Sequence, residues 1–334
     1  MRRLPVFLAA TAAVVACAYS FYWYYVAGEL RDGLGPWAEA RRADGLAISW
    51  QTLAVEGYPF RFRLRFAGAN IAATEPVAYS AESAEIEADA SPFRLGAWHF
   101  RAPDGATVAA PFNAAGVAAG AIEGNVEISG DATTIAARAN AVAGEGAAQG
   151  FGADTLDLKL TLPQRAPRTD RDPIAAASIT LGTVELPAAP APFPRRIDTL
   201  SLAATLRGAI PPGALADALA KWRDEGGTLD IDAAHIVWAK TTIDLDGTLA
   251  LDSAMQPQGA LTATVTGADE VVDAVVDAGI MEARYADFAK AVLRAIGHSE
   301  DDGSDQLHVP VTLQDRRLYV GPAPIAPLPQ IKWR

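Results

Sequence analysis

The sequence predicts a β-rich α+β fold: an N-terminal transmembrane helix, then antiparallel β-meanders with a few covering helices. Three observations predict it. Arg2 and Arg3 precede an uncharged stretch from Leu4 to Gly28 that ends in the aromatic run Phe21-Tyr22-Trp23-Tyr24-Tyr25. After Asp44-Gly45 the apolar period changes from helical to two. Stretches with helical spacing are few beside the number of alternating segments.

The uncharged stretch, about 23 to 25 residues, is long enough as a helix to cross the ~30 Å hydrocarbon core. The arginines before it place the N-terminus in the cytoplasm, and the remaining chain on the periplasmic side of a bacterial inner membrane as a single-pass protein. The ring cluster at its far end suits the headgroup layer. A cleaved signal peptide with Val6 to Ala16 as its apolar region fits less well, because the apolar run continues past any early cleavage point. Val14-Val15-Ala16-Cys17 resembles a lipid-attachment site, yet Ala18-Tyr19-Ser20-Phe21 follows where a polar tether is usual. From Gly28 to Ala43 the helix is expected to continue, bent near Gly35-Pro36, with Leu30, Leu34, Trp37 and Ala38 on one side and Glu39, Arg41 and Arg42 on the other.

The expected strands follow in order. Pro59 to Phe66 alternates Phe60, Phe62, Leu64 and Phe66 with Arg61, Arg63 and Arg65, so one face is apolar and the other cationic. Further strands are expected at 84–88, 98–101, 121–129, 133–139 and 156–162. The Gly-rich stretch 141–152 and the Pro-rich stretch 163–173 read as loops. Then come a strand at 197–206, a helix from Pro211 to Arg223 ended by Gly226-Gly227, and strands at 228–231, 235–239, 241–245, 247–251 and 260–266. Two helical stripes follow, Val271, Val272, Val275 and Val276, then Tyr285, Phe288, Ala289, Val292, Leu293 and Ile296. Strands at 307–313 and 318–320 lead into a Pro-rich tail. The expected division is an anchor at 1–28, a juxtamembrane helix at 29–44, a first meander at 45–162, a linker at 163–173, and a second meander with helices and tail at 174–334.

A net charge of −12 works against nucleic-acid binding, which needs basic surface to displace counterions. The single cysteine, Cys17, lies in the anchor, so no disulfide framework stabilises the exported body. No nucleophile elbow, phosphate-binding loop, dinucleotide fingerprint or zinc motif is present, and no cofactor is implied. His99, His235, His298 and His308 are scattered, without a second ligand at metal spacing. Asp230/Asp232 and Asp244/Asp246 put pairs of carboxylates on one strand face, which alternation alone produces. The run Glu300 to Asp305 lacks the register of a calcium loop and reads as an acidic loop.

Trp50, Gly57-Tyr58-Pro59-Phe60-Arg61-Phe62, Gly227-Thr228-Leu229-Asp230, Trp238, Gly247-Thr248-Leu249-Ala250-Leu251-Asp252 and the tail Gly321 to Pro329 form a set. With it, the chain resembles the domain of unknown function 2125 family of alphaproteobacterial envelope proteins over nearly its whole length, Gly57, Tyr58, Pro59 and Phe60 making the family motif. That family is similar to AsmA-like envelope proteins. The similarity implies long, curved sheets with an apolar inner face and a link to lipid. The resemblance carries no catalytic residues.

A non-enzymatic envelope protein that holds or guides lipid, or another hydrophobic ligand, is therefore expected. Phe60, Phe62, Leu64 and Phe66 are candidates for the lining, although a filled core gives the same pattern. Arg61, Arg63 and Arg65 are candidates for headgroup contacts; the competing reading pairs them with Glu82, Glu85 or Glu87 on a neighbouring strand. The alternative function is a structural or assembly factor that binds another envelope protein through a sheet edge or the tail.

Overall fold

The computed structural model describes all residues except 1–3, 44, 74–77, 111–114, 170, 190–192, 278–281, 288–289, 292–297, 300–305 and 334. Its first element is α1 (Leu4–Ala43), a single helix of 40 residues that carries Pro36 in its interior, so neither Gly28 nor Pro36 ends it. Trp23, Ala27 and Ala38 on one side of α1 are buried, whereas residues 11–18 are exposed throughout.

The transmembrane helix expected at 1–28 is not found: among the described residues, no helix is long and apolar enough to cross a membrane. The physical reason is where the body grips α1. The Tyr19 hydroxyl donates to the Pro59 carbonyl, the Tyr22 hydroxyl to the Pro92 carbonyl (2.8 Å) and the Trp23 indole N–H to the Arg61 carbonyl (3.2 Å). The aromatic run assigned to a headgroup layer is thus partly an internal docking strip. What stands clear of it, Leu4 to Ala18, rises only about 22 Å, short of the ~30 Å of a hydrocarbon core. Arg2 and Arg3 lie outside the described residues.

The rest of the chain is one antiparallel sheet. β1 (Leu46–Ser49) and β2 (Thr52–Glu56) lie in line along one edge, both paired with β3 (Phe62–Ala73), which pairs on with β4 (Tyr79–Ser91). β4 meets β5 (Arg94–Ala102) along its C-terminal part and β6 (Ala106–Ala110) near its start. β6 pairs with β7 (Ala115–Ala119) and β5 with β8 (Ile122–Ile128), and both β7 and β8 pair with β9 (Ala132–Gly146). A plain meander follows through β10 (Gly152–Pro163), β11 (Pro173–Glu185), β12 (Arg196–Arg207), β13 (Thr228–Trp238), β14 (Thr241–Leu251) and β15 (Pro257–Thr266). β15 pairs with β17 (Gln306–Gln314), which also pairs with β16 (His298–Ser299) and β18 (Arg317–Val320). Paired with β18, β19 (Ala323–Pro327) forms the far edge, where Pro324 and Pro327 lack the N–H groups that would invite a further strand.

Several expected boundaries move. Phe60 lies in a turn before β3, because Gly57, at φ +99°, closes it by accepting from the amides of Phe60 and Arg61, both at 3.1 Å. The Gly-rich stretch at 141–152 is not a loop throughout: β9 runs on to Gly146 because β7 and β10 both pair with it there. The expected strands at 228–231 and 235–239 are one strand, as are 241–245 and 247–251. An irregularity between Ile231 and Ala234 lets the first change phase without leaving the sheet. β11, whose alanines gave no alternation, was not foreseen. Residues 164–172 are the connection between β10 and β11, which pair directly.

Helices are few. α2 (Leu215–Asp224) connects β12 to β13, and its buried Trp222 donates its indole N–H to the Arg207 carbonyl at 2.6 Å. Gly227 is obligatory beside it, since a Cβ there would stand 2.1 Å from that indole nitrogen. α3 (Ala268–Asp277) lies against β14. Most of the second helical stripe expected there, Phe288, Ala289, Val292, Leu293 and Ile296, lies outside the described residues, as does the acidic run to Asp305.

Candidate functional site

Directly paired residues in neighbouring strands put their side chains on the same face, so the register can be followed across the sheet. Leu64 pairs with Ala88, and Ala88 with Phe100. Phe100 faces Gly124, Gly124 faces Ala137, and Ala137 faces Leu158. Leu158 leads to Ile179, Ile179 to Leu202 and Leu202 to Ala234. Ala234 in turn leads to Leu245, Ala263 and Val309. One apolar face therefore runs from β3 to β17 without a charged residue among these positions.

That face is creased. In β3, β10, β11 and β12 the pairing skips one residue at Gly68, Asp154, Thr183 and Asp198, and Ala141 in β9 is skipped opposite Asp154. Gly68, Ala141 and Thr183 have φ of +59°, +52° and +51°. Across the skipped position in β9, residues three apart, Ala139 and Val142, pack in one cluster. The side chains beside the crease bury one another: Ala139, Val142, Ala153, Val184 and Ile197 form the largest core cluster, Val184 with no exposure.

Away from the crease the face opens. Leu158 and Leu162 remain 37% exposed and Leu202 38%, and the helices pack chiefly against β1, β2 and β14 rather than over β9 to β12. At the first edge of the sheet, α1 covers the same face. Trp23 stacks on Phe62 with ring centroids 5.2 Å apart, and Val26, Leu30, Val55 and Trp98 close around the pair.

The four candidate lining residues are thereby separated. Phe62 is fully buried as core between β3 and α1, and Leu64 is nearly fully buried; Phe66 sits edge-on to Trp50, and Phe60 is 84% exposed in the turn before β3. Sequence reasoning missed the open residues of β10 to β12, whose signal was the Leu-x-Leu-x-Leu alternation of 156–162.

The opposite face is polar and largely self-neutralised. Arg63 donates to Asp89 at 2.9 Å, Arg65 to Glu87 at 2.7 Å with Glu85 at 3.0 Å, and Arg101 to Glu87 at 2.8 Å. Arg61 lies 3.8 Å from Asp89, while Glu82 accepts from Asn70 instead. The hydrogen bond from Arg65, with that cation's charge and those of Arg101 and Arg63, holds Glu87 below the usual carboxylate range against partial burial. Asp89 does the same for Arg63 in the opposite sense, raising it. Farther along, Arg138 pairs with Asp157 at 2.6 Å over a hollow of about 370 Å³ that also touches His99, Glu123 and Lys159.

Three of the four paired acids have separate partners. Asp230, lowered chiefly by the hydrogen bond from Arg207, also accepts from Thr248; Asp232 accepts from Thr205, and Asp244 meets His235 at 2.7 Å. His99 contacts Asn125 at 3.1 Å and His308 contacts Thr264 at 2.9 Å. Among the described residues no three His, Cys, Asp or Glu side chains come together as a metal site.

No curated protein and no solved structure matches the chain. A family profile described as "uncharacterized protein conserved in bacteria (DUF2125)" matches residues 23–329, from the docking half of α1 through β19, and the chain belongs to that family.

Proposed function

We propose that this protein is a non-enzymatic envelope protein, working on the periplasmic surface of the inner membrane, that accommodates the acyl chain of a lipid on the open part of its apolar face. The observation that carries the reading is the row through Ala137, Leu158, Ile179 and Leu202, continuous in register and, among the described residues, not covered by a helix. From β9 to β13 that row is roughly 19 Å long at about 4.8 Å per strand, against the ~15 Å that one leaflet contributes to a hydrocarbon core. It presents aliphatic groups and no hydrogen-bonding side chain, which suits a ligand with no polar group along its length. The exposed, apolar N-terminal end of α1 would enter the near leaflet, and α1 docks on the same face further along, so bilayer and row are joined through one helix. A non-enzymatic role agrees with a polar face whose charged groups are paired with one another.

Purification in mild detergent followed by lipid extraction and mass analysis tests the reading. About one phospholipid per chain is expected; a protein recovered empty from membranes and detergent alike overturns it. The alternative, an assembly factor acting through a sheet edge or the tail, is disfavoured because α1 lies along β1 and β2 and prolines occupy β19.

A further inference from the structure

We infer that the end of the sheet carrying the β2–β3 and β4–β5 turns is a membrane-docking surface, with Phe60 and Phe93 entering the acyl boundary of an anionic bilayer and Arg61 and Arg94 meeting its phosphates. The inference rests on the envelope reading above for a membrane to be near, but not on a lipid bound to the sheet.

Two turns far apart in sequence are fastened to the same stretch of α1. Tyr19 bonds the Pro59 carbonyl and stacks on Phe93 at 5.8 Å; Tyr22 bonds the Pro92 carbonyl; Ser20 and Tyr58 share a hydrogen bond of 2.6 Å. Both tips therefore stand at the level where α1 leaves the body. There the phenylalanines of the two turns are largely exposed, Phe60 at 84% and Phe93 at 82%, with only one flank of Phe93 against Tyr19. A soluble surface gains nothing from two such rings, whereas an apolar phase favours the burial of both.

The chemistry is graded along α1. Its end beyond the tips is apolar and exposed at Phe7, Val14 and Val15, and the hydroxyl-bearing rings of Tyr19, Tyr22 and Tyr58 mark its base. Just behind the rings lies a hollow of about 460 Å³ lined by Phe60, Arg61, Asp89, Arg94, Trp98 and Glu127 among others. Among the described residues, Arg94 is held there by Glu127 in a pair more than half exposed on both sides, and Arg61 by the 3.8 Å contact with Asp89. Exposed pairs of this kind are weak, and a phosphate can take the guanidinium in their place. A flat protein partner would have to enclose the ~22 Å rod of α1 that projects beside the patch. A bilayer takes rod and rings together, with aromatic rings at the interface and apolar ones deeper.

The test keeps the full chain and reads one position at a time. Cys17, the sole cysteine, is replaced (C17S), and a polarity-sensitive fluorophore is attached at F93C or, as a control on the opposite end of the sheet, at Q149C. With phosphatidylcholine vesicles containing phosphatidylglycerol, the label at position 93 should shift to the blue and lose access to aqueous iodide several-fold, while the label at 149 is unchanged. R61Q/R94Q should weaken binding to these vesicles several-fold and to pure phosphatidylcholine vesicles little. The inference is overturned if position 93 stays as accessible as position 149 on protein that floats with vesicles. It is equally overturned if position 93 is shielded without vesicles by a dimer seen in sedimentation, since a second copy then covers the patch. An empty protein in the extraction experiment leaves this readout intact.

Discussion

Trp23 of α1 stacks on Phe62 of β3 at 5.2 Å and gives its indole N–H to the Arg61 carbonyl, so the helix is locked to the sheet by a ring pair and a hydrogen bond sharing one residue. Phe62 has no exposure and Trp23 only 4%. The aromatic run that reads as a membrane belt thus puts Trp23 into the core and leaves Phe21, Tyr22, Tyr24 and Tyr25 exposed.

Trp23→Ala should therefore cost about 3–5 kcal/mol, the usual loss for emptying a buried aromatic site. Denaturant unfolding measures it, and limited proteolysis should show α1 cut near residue 23 before the sheet is attacked. Trp23→Phe, which keeps a ring against Phe62 but loses the hydrogen bond to Arg61, should fall between the two.

Leu158→Asn with Leu202→Asn places two amides on the open part of the apolar face, where each leucine is already more than a third exposed. The melting temperature should change little, and lipid recovered after detergent purification should fall several-fold. The same pair of substitutions at Val184 and Ile197, beside the crease, should unfold the protein, because those side chains have no solvent to turn to.

Stability should be flat from neutral pH to about pH 5 and decline as the pH falls through the carboxylate range. Glu87 and Asp230 are both held below their ordinary values by arginine partners. Their stabilisation is fully present above the unfolded-state values of roughly 4.3 and 3.9 and is lost as the pH drops through the lower folded values. Thermal melts across this range check the sign: Glu87→Gln should melt lower than the native chain at pH 7, and the two curves should converge in acid.

Gln256 in the β14–β15 turn is 3% exposed and clamps Ile331 with two hydrogen bonds, its amide donating to the Ile331 carbonyl at 3.0 Å and its carbonyl accepting the Ile331 amide at 2.9 Å. Trp333 adds a bond to the Met255 carbonyl at 2.6 Å. Gln256→Ala should release the last residues at a cost of about 1–3 kcal/mol. Hydrogen exchange should show the amides at 331–333 losing protection while those of β14 keep theirs.

The alternation of Phe62, Leu64 and Phe66 with Arg63 and Arg65 was legible as a strand, as was their division between two faces, because period two survives any context. That β11 is a strand was not, since Ala175, Ala176 and Ala177 carry neither β-branching nor polarity and pair only because β10 and β12 flank them. Nor was the crease. Ala141 and Thr183 adopt positive φ, where composition points to glycine or asparagine. Their conformation is imposed by the neighbouring strands. The same holds for the site: Arg63 and Arg65 announced a cationic face, but which acids meet them depends on a register that only pairing with β4 sets. Phe60 and Phe93, in two turns at one end of the sheet, stand 33 positions apart in the chain, and nothing local marks the docking of α1 against both turns.

Among the described residues, each strand from β10 to β14 pairs only with the strand before it and the strand after it. A hairpin is two strands, so adding or deleting one returns the chain to the same direction with the same face apolar. The length of the row is then a freely variable quantity, separate from how α1 is fastened at one edge and how the prolines stop the other. A duplication within the meander would lengthen the surface offered to a ligand by about 10 Å, without asking any existing residue to change its neighbours' side of the sheet.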